Sequence, residues 1–147
     1  MMKRGRGNFF HTDKGAIAMT DFLLYLAYTA AFTALMWIPY ILNMIMVRGL
    51  IDGVGYPDNP KPLAPWAQRM RAAHYNAVEN LVVMSILALI AHAANMVTET
   101  MTTAMLAYLI FRVVHFFAYT FKVPWVRTLT FVGGWACIVV VAVRILF

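Results

Sequence analysis

Residues 69–85 read Arg-Met-Arg-Ala-Ala-His-Tyr-Asn-Ala-Val-Glu-Asn-Leu-Val-Val-Met-Ser. The stretch opens polar and basic and turns apolar without losing helical character. Asn76 and Glu79 stand three apart where the apolar run begins. A carboxylate there lies at the edge of lipid, where ionisable groups are costly and face protein or water. On a helix of 3.6 residues per turn, Arg69, Asn76 and Glu79 fall within roughly 80° of one another. Arg71 and His74 point the other way. One face therefore carries a cation, an amide and an anion.

The whole chain reads as a membrane protein. Of its 147 residues, 63% are hydrophobic and only 12% charged, and its mean hydropathy is +0.71. A soluble domain carries about 25% charged residues. The formal net charge is +6, but four of the twelve Lys and Arg (Lys3, Arg4, Arg6 and Lys14) lie in the first fourteen residues. That distribution suits a juxtamembrane segment and argues against nucleic acid as a partner, since no basic stripe follows. Cys137 is the one cysteine. It sits in an apolar run and reads as a small buried hydrophobe.

Outward from the opening stretch, the pattern predicts an all-α, four-transmembrane-helix bundle: a basic N-terminal extension at 1–21 and a membrane domain at 22–147. The first span covers 22–47, long enough to cross a bilayer and kinked by Pro39. Asn43 reads as an interhelical hydrogen-bonding residue. Arg48 ends the span. Glycines and prolines make 49–65 a loop. The second helix runs over 65–94, its first two turns projecting into water. A turn at 95–100 carries Glu99. The third helix covers 101–121, Lys122-Val123-Pro124 breaks the chain, and the fourth runs from Trp125 to the C-terminus. Gly133-Gly134 in its middle allows close helix approach. Short connections imply antiparallel neighbours.

Basic residues bear on orientation. Arg48, Lys61, Arg69, Arg71, Lys122 and Arg127 fall on one side, and Arg144 on the other. The four N-terminal charges join Arg144 if translation begins at Met1 and are absent if it begins at Met19. The Met19 start places the polar faces toward the cytoplasm of an inner cell membrane.

A second polar face is Arg112-Val-Val-His115-Phe-Phe-Ala-Tyr119. Spacings of three and four put its polar side chains within about 60°. It lies late in the third helix, on the same membrane side as Arg69, Asn76 and Glu79, with Arg127 just across the next turn. A single Glu cannot neutralise Arg69, Arg112 and Arg127. The surplus positive charge favours an anionic small molecule. Glu79 and Arg112 could also form a structural ion pair, and His115 could bond a backbone partner with no ligand. No two histidines have metal-ligand spacing with a carboxylate, so no metal is expected.

Together these two motifs, Arg-x-x-x-x-His-x-Asn-x-x-Glu-Asn-Leu and Arg-x-x-His-x-x-x-Tyr, resemble the MAPEG family. These are membrane-associated proteins of eicosanoid and glutathione metabolism. The likeness runs from about Met19 onward. It implies a homotrimer in which glutathione, as co-substrate, binds between subunits near the cytoplasmic side. It also implies that Asn76 and Glu79 bind glutathione with Arg112, His115 and Tyr119, that Arg127 stabilises the thiolate, and that Arg48 ends the first helix as a further ligand. Thr128, beside Arg127, would offer its hydroxyl to the thiol. The chain departs from the family pattern at Ala72, where an arginine is usual; Arg69 lies one turn earlier on the same face.

The function expected is glutathione-dependent transfer or peroxide reduction on a lipophilic electrophile arriving from membrane lipid, with another anionic thiol as a substitute for glutathione. The alternatives are a non-catalytic membrane subunit of the same fold and a small transporter. No continuous polar stripe crosses helices two to four, which weighs against transport.

Overall fold

The computed structural model describes residues 19–147. The basic residues Lys3, Arg4, Arg6 and Lys14 and the choice of translation start lie outside the described residues, apart from Met19 itself. Five helices follow: α1 (Asp21–Leu35), α2 (Trp37–Val54), α3 (Pro65–Ala93), α4 (Glu99–Thr120) and α5 (Pro124–Leu146). They make four segments long and apolar enough to cross a membrane, because α1 and α2 together form one, Asp21–Val54. Among the described residues there is no strand.

Local chemistry sets the helix ends. Thr20 and Thr98 cap α1 and α4, their side-chain oxygens accepting from the backbone N–H of Leu23 and Met101. Pro65 and Pro124 sit at the first positions of α3 and α5, where a missing N–H costs nothing. Asn95 and Lys122 take the left-handed conformation, φ 55° and 61°. Each closes a helix: Met96 N–H donates to Ala91 O, and Val123 N–H to Ala118 O. Asn43 Oδ1 accepts from Ala64 N–H at 3.0 Å, so its bond joins α2 to the start of α3.

Three boundaries differ from those expected of the sequence. The break in the first span falls at Met36, ahead of Pro39. Proline removes the bond to the residue four earlier, here Leu35, and its ring crowds that carbonyl, so the distortion appears a turn upstream. The helix also resumes beyond the expected loop start. Gly49 alone leaves helical geometry, at φ 79° and ψ 169°, and one further turn runs to Val54. Finally, Glu99 opens α4 and is not part of the preceding turn.

α4 packs on α1, α3 and α5, most extensively on α5. Two apolar cores result. One gathers Phe22, Met84, Met101, Met105, Tyr108 and Val141. The other gathers Met36, Leu63, Met70 and Phe116 toward the opposite end. Between them on α4 lies Arg112, only 1% exposed. Leu89, Leu129, Trp135 and many other large apolar side chains face outward, as a surface solvated by lipid requires.

Candidate functional site

Arg112 is held from two sides. Its Nη1 donates to Asn76 Oδ1 on α3 at 3.4 Å. Its Nη2 donates to the carbonyls of Thr130 and Phe131 on α5, at 3.5 and 3.4 Å. Its Cζ lies 5.3 Å from the centre of the Tyr108 ring. All three bonds are long for N–H···O geometry, and Nε has no partner. Glu79 is not among the guanidinium's partners; its side chain is exposed. The interhelical contact anticipated between Glu79 and Arg112 is made by Asn76 instead. Gly134 makes room for the guanidinium: without a Cβ there, Arg112 can lean into α5.

One turn further along α4, His115 is buried. Its Nδ1 lies 3.0 Å from Arg127 O and 3.3 Å from Thr130 Oγ1. Nδ1–H donating to the Arg127 carbonyl is the tautomer this geometry favours, since a carbonyl can only accept. Nε2 has no partner. Tyr119 meets His115 edge-on, ring centres 5.7 Å apart, and Arg127 Cζ stands 5.2 Å from the Tyr119 ring centre. That is within cation–π range.

These groups border two adjoining cavities. The first, about 280 Å³, is lined by Asn76, His115, Tyr119, Arg127, Thr128 and Phe131. The second, about 330 Å³, is lined by Arg69, Tyr119, Lys122, Val123, Pro124 and Arg127. Tyr119 and Arg127 belong to both. Three cations and no carboxylate line the second cavity, so its potential favours an anion.

The structure thus gathers Arg69, Asn76, His115, Tyr119, Arg127 and Thr128 in one region. Arg112 stands behind the wall and bonds Asn76 through it. Arg69 is already engaged, its Nε donating to Thr120 O at 2.9 Å. Thr128 Oγ1 donates to Pro124 O at 3.1 Å. Arg48 is elsewhere: its Nε donates to Lys61 O at 2.8 Å, and it borders a separate cavity with Pro62, Leu63, Gln68 and Arg71. His74 leans away from the cavity, its Nδ1 2.9 Å from Tyr40 Oη. Two participants were not foreseen from the sequence, Thr130 and Phe131. Thr130 lies three residues after Arg127 on the same helical face; that spacing was the available signal. Among the described residues no group of three or more His, Cys, Asp and Glu side chains is placed to hold a metal.

Four apolar spans define a multi-pass integral membrane protein, with a cation-lined hollow at one rim. A family model for the MAPEG family matches residues 24–147, and the chain belongs to that family. No curated protein and no solved structure matches it significantly.

Proposed function

We propose that the protein is a glutathione-dependent transferase or peroxidase acting on lipophilic substrates in the membrane. The observation that carries this reading is the adjoining pair of cavities that meet at Tyr119 and Arg127, with Arg69, Lys122 and Arg127 as lining cations. Glutathione supplies what such a hollow selects: carboxylates for the guanidinium groups, where planar forked donors are suited, and a thiol whose ionised form is the nucleophile. Asn76, His115 and Tyr119 orient the tripeptide. Arg127 faces the thiolate, and Thr128 can turn its hydroxyl from Pro124 O toward the sulfur. Glu79, Arg112 and Arg48 act in support, Glu79 and Arg48 from positions that a neighbouring subunit of a homotrimer would complete. The hollow opens on the cytoplasmic side.

A free thiol ionises near pH 8.5, and lowering that by two units takes about 2.7 kcal/mol, within reach of one well-placed cation. In conjugation, the thiolate sulfur bonds to an electrophilic carbon of a bilayer-borne substrate and the leaving group departs with the displaced electron pair. In peroxide reduction, the thiolate takes the terminal oxygen of a hydroperoxide, releasing an alcohol. A second glutathione then converts the sulfenic acid to disulfide and water.

A second reading, a membrane subunit that keeps the fold without catalysis, is favoured by Ala72, which leaves the usual arginine position empty, and by the bond that already holds Arg69 to Thr120. Calorimetry of the detergent-solubilised protein with glutathione separates the two. Saturable binding, with conjugate formed from an activated aryl halide and lost at least tenfold in Arg127→Ala, supports the enzyme. Absence of binding supports the subunit.

A further inference from the structure

A second, roomier hollow lies apart from the basic one. A groove of about 630 Å³ runs between α4 and α5, and it shares no lining residue with the two cavities around Arg127. Its walls are small or apolar, among them Ala104, Ala107, Phe111 and Ala136. Its polar groups collect at one end, where Glu99, Thr100 and Thr103 occupy the first turns of α4. None of its lining residues is basic. Both walls are membrane-spanning helices, and Glu99 marks the rim opposite Arg127.

A mostly apolar cleft with a few convergent polar groups is the ordinary form of a small-molecule site, and its volume is within the usual range. The asymmetry decides the ligand. From Glu99 to Phe111 is twelve residues of helix, about 18 Å at 1.5 Å per residue. At about 1.2 Å per bond of an extended chain that corresponds to roughly fifteen carbons. A carboxylate at the mouth, flanked by two threonine hydroxyls, repels an anionic head group and attracts a cationic donor.

We propose that the α4–α5 groove is a binding site for a single-chain amphiphile with an ammonium head group, the chain lying along Ala104, Ala107 and Ala136 and the head at Glu99. The site is independent of the thiol chemistry proposed for the basic rim. Cys137 gives it a reporter: it lines the groove, is buried, and is the one cysteine of the chain. A chain in the groove shields its sulfur.

The test measures the rate at which N-ethylmaleimide alkylates Cys137 in protein held in neutral phosphatidylcholine nanodiscs. Tetradecylamine is compared with tetradecanoate, which has the same chain length and the opposite charge. The amine is expected to slow alkylation at least fivefold and the acid less than twofold. In Glu99→Gln the difference between the two is expected to vanish. In Ala136→Phe, which fills the groove, alkylation is slow without ligand and neither amphiphile changes it. Thr103→Val provides a milder variant, with the amine's effect reduced and the bundle's packing kept. Equal protection by amine and acid, protection by neither, a preference for the amine that persists in Glu99→Gln, or a Cys137 that is inert in the unliganded protein would each overturn the proposal.

Discussion

The guanidinium of Arg112 fills the space in which a side chain at Gly134 would begin. A Cβ built on Gly134 stands 2.8 Å from Arg112 Cζ and Nε and closer still to Nη2. A buried cation and a glycine on the next helix are therefore one feature. Gly134→Ala forces the guanidinium off α5 and breaks its bonds to the carbonyls of Thr130 and Phe131. Overpacking of this kind costs about 1–3 kcal/mol. The expected outcome is a clear drop in the melting temperature of the detergent-solubilised protein. Gly133→Ala provides the comparison. Its Cβ meets the Phe111 ring, a partly buried side chain at the edge of a groove with room to turn, and it should cost less. A tolerated Gly134→Ala would mean that Arg112 has another resting place.

Asn76 and Arg112 depend on each other unequally. Every hydrogen bond to the guanidinium is 3.4 Å or longer and Nε has no partner, so position holds this cation more than bond strength does. Asn76→Leu removes one of its few acceptors, and an unpaired buried donor costs about 1–3 kcal/mol. Arg112→Met removes the demand itself, and replacing a buried charge with an apolar chain is often neutral. The double variant Asn76→Leu/Arg112→Met should therefore melt higher than Asn76→Leu alone. A double variant at the sum of the two single losses would show that the residues do not interact.

How much of this could be read from the chain varies by residue. The spans were legible because uninterrupted apolar runs of this length match the hydrocarbon thickness of a bilayer, and Pro65 and Pro124 mark the starts of two of the helices. The bend at Met36 was not, because a proline names the hydrogen bond it removes while the neighbouring helices decide where the axis gives way. Gly49 was visible as a glycine, but its positive φ was not. At the basic rim, helical spacing correctly put His115 and Tyr119 on one face with Arg112. It could not say that Arg112 would turn inward, since that depends on the missing side chain at 134 of another helix. Nor could it say that Glu79 would stay exposed while Asn76 made the interhelical bond. The inward turn of Arg112 follows from what α5 presents to α4, which no periodicity within α4 contains.

Arg69 closes the C-terminal end of α4 by donating from Nε to the Thr120 carbonyl. A cation there meets the negative end of the helix dipole, worth about 0.3–1 kcal/mol, and satisfies a carbonyl that the helix leaves open. Arg69→Ala should lower the melting temperature of the ligand-free protein by a few degrees. Arg69→Lys, which keeps the charge but not the planar donor, should recover only part of it. If Arg69 instead serves an anionic ligand, the loss in Arg69→Ala will be larger with glutathione present than without it. Thermal shifts at matched glutathione concentrations distinguish these two roles.

Arg127 makes the sharpest prediction, because charge stabilisation has a sign. A cation beside the thiol favours the thiolate, so the bound thiol ionises at lower pH than a free one, and the conjugation rate at subsaturating substrate should rise with pH through that lowered midpoint. Removing the cation moves the midpoint up toward the free value of about 8.5. With a two-unit depression in the native protein, half of the bound thiol is ionised near pH 6.5, against about 1% in Arg127→Ala. The variant should therefore be slower by some fiftyfold at pH 6.5 and approach the native rate above pH 9. Arg127→Lys should shift less, since a point charge persists without the fork that can also contact the ligand. A residue that merely shaped the cavity would lower the rate equally at every pH. A uniform loss would assign Arg127 to packing over Tyr119, where its guanidinium already rests, and would remove it from the chemistry.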